Sequence, residues 1–184
     1  MTKLRGPVGL ADHTLGDEHA PVTLVEYGDY QCPHCGHAHP IVKAMRKHFG
    51  RQLRFVYRHF PLTQIHPVAE PAAEAAEFAS AHERFWEMHD ALFENQESLG
   101  LPLLADLARD LGLSSQDLAG ALESHEFLPK IKEDFMGGVR SGVNGTPTFF
   151  INGYRYEGLY EFENLVEAID EQLASAKIQQ RRAG

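Results

Sequence analysis

The sequence predicts an α/β fold carrying an all-helical insertion, and three observations predict it. A β-branched, apolar run at residues 21–27 hands over to an apolar-periodic segment at 41–49, a strand followed by a helix. From about Thr63 to Gly142 the character is helical throughout. The chain then returns to strand at 143–156 and closes with an amphipathic helix over 161–174. At 184 residues and 43% hydrophobic content, this suits one domain with an insertion better than two domains. The expected organisation is an extended lead-in at 1–20, a sheet-bearing domain at 21–63 and 143–176, the helical insertion at 64–142, and a polar, fraying tail at 177–184.

Residues 1–20 are rich in Gly, Pro, Asp and His without periodicity, hence the lead-in. The strand at 22–27 is apolar on both faces except at Glu26, the pattern of a central strand covered on both sides by helices. The helix after it contains Pro40, which removes an i to i−4 bond and is expected to kink it. A second strand spans 53–60, where arginines suggest alternation between a buried and an exposed face.

Within the insertion, 71–83 is rich in alanine and glutamate, and 85–93 repeats apolar residues at helical spacing. Trp86, Met88, Leu92 and Phe93 suit the core of a helical subdomain better than a binding groove, since a periodic apolar face is what a core requires. A further helix over 103–111 stops at Gly112, and Ser114-Ser115-Gln116-Asp117 resembles a capping box before 118–122. Another helix follows over 129–139. Residues 143–156 read as a strand, an Asn152-Gly153 turn and a return strand, with Pro147 opening the first strand.

The balance of 17 basic against 26 acidic residues, formally −9, argues against nucleic acid or an anionic membrane surface as partner. No membrane-spanning apolar run occurs, and the first residues lack the apolar core of an export signal. The expected location is therefore the cytoplasm, or the periplasm if a signal has been removed.

The only two cysteines stand as Gln31-Cys32-Pro33-His34-Cys35, where the first strand hands over to its helix. The first N–H groups of a helix lack intrahelical partners and the helix dipole is positive there, so a Cys32 thiolate is favoured by both. With Cys32 as cap, Pro33 takes the first helical position and Cys35 lies one turn on, within disulfide reach. A structural zinc site would need four ligands, and no second C-x-x-C or H-x-x-x-H module completes one, so no metal is assigned. His34, His37 and His39 nevertheless crowd the motif. A structural disulfide closing so small a loop would stabilise little. A redox pair uses the strand, the helix start and the spacing together. Glu26, if buried below the pair, would have a raised pKa and could exchange a proton with Cys35 as the disulfide opens or closes.

Cys-Pro-His-Cys after a strand, Gly145-Thr146-Pro147-Thr148 leading into Phe-Phe-Ile-Asn-Gly, and a helical block between them resemble the DsbA family of thioredoxin-fold disulfide oxidoreductases, over roughly residues 21–174. The resemblance implies a thioredoxin fold with an all-helical insertion and a thiol-disulfide oxidoreductase working on protein or peptide thiols and disulfides. It makes Cys32 the attacking cysteine, Cys35 the resolving one and Glu26 the family's buried acid. It makes Pro147 the cis-proline facing the disulfide and Thr146 a source of backbone hydrogen bonds to a bound peptide, with Pro33 beside them. Relatives with this dipeptide are usually exported oxidants. The chain is similar instead to cytosolic DsbA-like proteins and to thioredoxin-like domains fused to some antiporters.

His34, between the cysteines, is expected to lower the Cys32 pKa from the ~8.5 of a free thiol by a hydrogen bond or positive charge. His37 and His39 are expected to be surface groups. No cofactor beyond the Cys32–Cys35 disulfide is expected, with glutathione as a redox partner. Two alternatives remain: a glutathione-linked transferase or isomerase like the kappa-class relatives, whose sites normally carry serine, and a module holding copper or zinc through Cys32, Cys35 and neighbouring histidines.

Overall fold

In the computed structural model, which describes residues 2–183 apart from the side chains of 177 and 179–183, a five-stranded sheet runs β1-β3-β2-β4-β5. Its strands are β1 (His13–Leu15), β2 (Val22–Gly28), β3 (Leu53–His59), β4 (Thr148–Ile151) and β5 (Tyr154–Arg155). β2 pairs in parallel with β3 and antiparallel with β4, so Glu26 stands beside Tyr57 on one side and Phe149 on the other. β2 is thus the central strand that its two apolar faces predict. Val22 and Leu24 pack into the larger core beneath helix α1 (Pro33–Phe49) and helix α7 (Phe162–Ala183). Val25 and Tyr27 pack on the opposite face with Val56, Phe60 and Phe150.

The insertion consists of α2 (Ala69–Ser80), α3 (Phe85–Glu94), α4 (Leu101–Asp110), α5 (Ser115–Ser124) and α6 (Leu128–Arg140). Alanines at 69, 72, 73, 75, 76 and 79 are all buried, which lets α2 lie close against its neighbours. Met88, Leu92 and Phe93 belong to the core, with Trp86 packed against it. Ser114 caps α5 as its sequence suggests, accepting a hydrogen bond from the Asp117 N–H at 3.1 Å. α6 returns to the sheet, and Gly138 is required there because a Cβ would meet the Phe60 ring at 2.7 Å.

The β4–β5 hairpin turns at Asn152 and Gly153, both with positive φ (48° and 79°). α1 is assigned as one helix through Pro40, which has no N–H to give the Gly36 carbonyl.

Four expectations are corrected. The lead-in is not merely extended: residues 13–15 form β1, antiparallel to β3, and Lys3 bridges to Tyr154. β3 does not alternate, because β1 makes it an inner strand. Arg58 is buried there, its Nε and Nη2 on the two Asp12 oxygens at 2.7 and 2.9 Å, and Nη1 on the Tyr27 hydroxyl at 3.0 Å. Its remaining contacts go to the Gly6 and Pro7 carbonyls, so the lead-in is tied down by a satisfied buried guanidinium. His39 is not a surface group: it is 7% exposed and stacks on Phe93. The last helix continues through the expected tail to Ala183, although most tail side chains lie outside the described residues. Among the described residues, no helix is long and apolar enough to cross a membrane.

Candidate active site

β2 ends at Gly28, the chain turns through Asp29-Tyr30-Gln31, and α1 begins with Pro33 directly after Cys32. Cys32 is the N-cap, in extended geometry (φ −72°, ψ 121°), and no side chain caps the helix. Its sulfur therefore stands on the residue whose side chain normally caps a helix, beside N–H groups that lack intrahelical partners. The Cys32 pKa falls to about 5. The largest cause is a hydrogen bond from the Cys35 thiol, with smaller help from the N–H groups of Cys35 and His34, against the opposing effect of burial.

Cys35 is fully buried, and burial pushes its thiol well above the ordinary value, followed by its role as donor to Cys32 and the charge of Glu26. Both cysteines are free thiols. The Asp29 N–H points at the Cys35 sulfur from 3.4 Å. The two sulfurs are thus held in contrasting states one turn apart: an easily ionised one at the helix mouth and a reluctant one below.

Thr146 approaches from the β4 side, its carbonyl oxygen 3.4 Å from the Cys32 sulfur. The Thr146–Pro147 peptide bond is cis. Next to it lies a cavity of about 180 Å³ lined in part by Pro147, Phe149, Tyr156 and Tyr160. Pro33 and His34 are exposed beside the pair. The His34 ring is engaged by the Tyr160 hydroxyl, 3.2 Å from Nδ1, so its contact with the nucleophile is through the backbone.

Glu26 is 2% exposed, and its Oε1 is buried without a partner. Burial, then the nearby Cys32 charge, raises its pKa to about 8.

Three supporting residues were not singled out from the sequence. Gln96, in a turn of the insertion, donates from Nε2 to the carbonyls of Tyr30 (2.8 Å) and Cys32 (2.9 Å) and lies against Gly36, clamping the helix start from outside the domain. Asp29 is buried, its Oδ1 accepting from Gln31 N–H at 2.7 Å and its Oδ2 from Leu62 N–H at 2.9 Å, with His66 Nδ1 2.7 Å away. It ties the cysteine loop to the loop after β3. Tyr30 bonds His89 Nδ1 at 3.0 Å under the site. Gln96 and Tyr30 meet their partners 59 to 66 positions away, a separation that no local pattern signals. Asp29 beside the motif was the one readable hint, as a turn residue before a helix cap. Among the described residues, no cluster of three metal-ligating groups includes either cysteine.

This helix-mouth dithiol on a β-sheet flanked by helices defines a thioredoxin-type site. A family model described as Thioredoxin matches residues 10–171, and the chain belongs to that family, in its DsbA-like branch. Among solved structures it superposes on oxidised BdbD from Bacillus subtilis with TM-score 0.84, 25% identity, and coverage of 94% of this chain and 98% of that one. It shares the fold of alpha-DsbA1 from Wolbachia pipientis with TM-score 0.82 at 23% identity, covering 96% and 98%. By sequence it is 43% identical over 170 residues to a protein named Na(+)/H(+) antiporter NhaA 1 from Salinispora arenicola, covering 92% of this chain and 26% of that protein. A similar match is to Na(+)/H(+) antiporter NhaA of Herminiimonas arsenicoxydans, at 36% identity over 86% of this chain and 25% of that one. The chain spans about a quarter of the length of the curated relatives it matches.

Proposed function

We propose that the chain is a thiol-disulfide oxidoreductase that exchanges disulfides with protein or peptide substrates. The observation that carries this reading is the Cys32 sulfur at the mouth of α1, with a pKa of about 5 and Cys35 below it. The Cys32 thiolate attacks one sulfur of a substrate disulfide, forming a mixed disulfide and releasing the other as thiolate. Cys35 then gives up its proton and attacks Cys32, closing the Cys32–Cys35 disulfide and releasing the second substrate thiolate. The substrate gains the two electrons the pair loses, and the reverse sequence oxidises a substrate dithiol.

Glu26, with a pKa of about 8, is the group we assign to take and return the Cys35 proton, since a base poised near neutrality serves both directions. We assign Thr146, Pro147 and Pro33 to the substrate's backbone, supported by the Thr146 carbonyl beside the Cys32 sulfur and the exposed Pro33 next to it. A kappa-class-like conjugation is less well supported, because a dithiol stands where serine is the norm.

Stabilising the thiolate favours the reduced pair. At pH 7 this amounts to at most about 3 kcal/mol, less after solvent screening, or up to ~60 mV in the oxidising direction. In a glutathione-buffered cytoplasm such a pair would stay reduced and work toward substrate reduction or isomerisation. The test is the alkylation rate of reduced protein against pH. A midpoint near 5 is expected, together with insulin-reductase activity that Cys32→Ser abolishes; a midpoint near 8.5 or an active Cys32→Ser variant overturns the reading.

A further inference from the structure

Outside the dithiol, three groups of side chains each bring metal-ligating atoms within 4.8 Å of one another: His13, His59 and Glu77; His39, His89 and Asp90; Glu70, Glu74 and His125. Their surroundings separate them. Asp90 already holds Lys43 at 2.9 Å, so a second cation there meets a positive charge. In the third group His125 is 58% exposed, and burial raises the Glu74 carboxyl toward its neutral form.

The first group has neither drawback. Glu77 Oε1 faces His13 Nε2 at 2.7 Å and His59 Nε2 at 2.8 Å, and among the described residues no Lys or Arg pairs with it. Side-chain exposure is 12% at His13, 1% at His59 and 7% at Glu77, leaving the His13 side as the way in. The three come from β1, β3 and α2, so the backbone fixes their mutual positions. The His13 ring is further held by stacking on Phe85, with centroids 3.4 Å apart and planes 8° from parallel.

His59 Nδ1 is buried without a partner, so the only polar contact of that ring among the described residues is Nε2 on Glu77. Burial pushes the Glu77 carboxyl up, but the hydrogen bonds from His13 and His59 outweigh it, and the group stays anionic.

We propose that His13 Nε2, His59 Nε2 and Glu77 Oε1 form a binding site for one divalent transition-metal ion, zinc in the first instance, with water completing the coordination. Two imidazoles and one carboxylate suit zinc, with bonds of about 2.0–2.2 Å. Ligands of one such ion sit about 3.3 Å apart, so each histidine nitrogen needs to draw back from Glu77 Oε1 by only about half an ångström, and the two nitrogens already lie within 4.8 Å of each other. On binding, each ring would present its Nε2 lone pair to the ion and carry its proton on Nδ1. The ion would clasp the short edge strand β1 to the sheet and to the insertion, apart from the redox pair and independently of its chemistry.

The test uses the full chain carrying Cys32→Ser and Cys35→Ser, which removes thiolate ligands, titrated with zinc chloride against a chromophoric chelator. One ion per chain is expected, with a rise in Tm. Affinity should fall by about tenfold or more in Glu77→Gln, which keeps an oxygen to accept from both histidines but loses the charge. It should fall similarly in His13→Phe and be unchanged in the exposed-histidine variants His37→Gln and His125→Gln. Cobalt(II) should give visible d–d absorption that disappears in Glu77→Gln and His13→Phe, whose folding is checked by metal-free Tm. No binding, or binding indifferent to Glu77→Gln and His13→Phe, or binding lost with the surface histidines, overturns the site.

Discussion

Of the carboxyl groups buried against the sheet, Glu26 on β2 and Glu77 on α2, 2% and 6% exposed, titrate in opposite directions. Burial alone would raise both. Glu26 has no hydrogen-bond partner on Oε1 and senses the Cys32 charge, so its pKa climbs to about 8. Glu77 is met on one oxygen by two imidazoles, and their hydrogen bonds reverse the sign. The partner set, more than the depth, decides which buried acid carries a proton at pH 7. The unpartnered acid sits under the dithiol, where a movable proton is useful, and the partnered one holds the lead-in and the insertion to the sheet.

The largest effect should come from removing the partnered acid. Glu77→Ala strands the Nε2 groups of His13 and His59 in a dry site, and loss of one member of a buried ionic cluster costs about 3–5 kcal/mol. Urea unfolding in the presence of a chelator reads this directly. A loss under 1 kcal/mol would mean that the histidines find water instead, and the contrast with Glu26 would lose its basis.

Removing the unpartnered acid should do the reverse. Glu26 binds its proton more tightly in the folded state than in the unfolded chain, so above pH 4.5 the unfolded state holds fewer protons and stability falls as pH rises, levelling off above about pH 8. Glu26→Gln stays neutral and escapes this. Its stability relative to the parent should therefore climb between pH 4.5 and 8, reaching about 3 kcal/mol at pH 7. Resolution of a mixed disulfide by Cys35 should slow in the same variant. A stability difference that does not change with pH would place the Glu26 proton elsewhere.

The two acids also differ in how legible they were. Glu26 is readable because it interrupts an apolar strand six residues before Cys32, and the dithiol, Thr146 and Pro147 are likewise marked by short local patterns. Helix existence followed from apolar periodicity, with ends displaced by a few residues as capping geometry dictates. Glu77 reads only as one of several glutamates on an alanine-rich helix. Its partners lie 64 and 18 positions away, and one stands on a three-residue strand too short to show alternation. Arg58 suggested a solvent-facing position because its partner Asp12, 46 residues earlier, satisfies it only once the chain is folded. His39 and Gln96 were hidden for the same reason. Pairings set by tertiary contact leave no periodic trace.

The smallest effect sharpens the comparison most. His13→Phe keeps an aromatic ring to stack on Phe85 and removes one of the two hydrogen bonds to Glu77, while His59 still holds the carboxylate. A hydrogen bond to a charged group contributes about 1.5–3 kcal/mol, and the added apolar surface offsets part of it, so a net loss of about 1–2 kcal/mol is expected in chelator. Glu77 should remain ionised at pH 7, since one strong partner is enough to hold it below the usual carboxylate range. Carboxyl titration by infrared or NMR distinguishes the outcomes. If Glu77 rises toward the behaviour of Glu26 once His13 is gone, then two partners are needed to overcome burial, and the short β1 strand is what keeps that carboxylate charged.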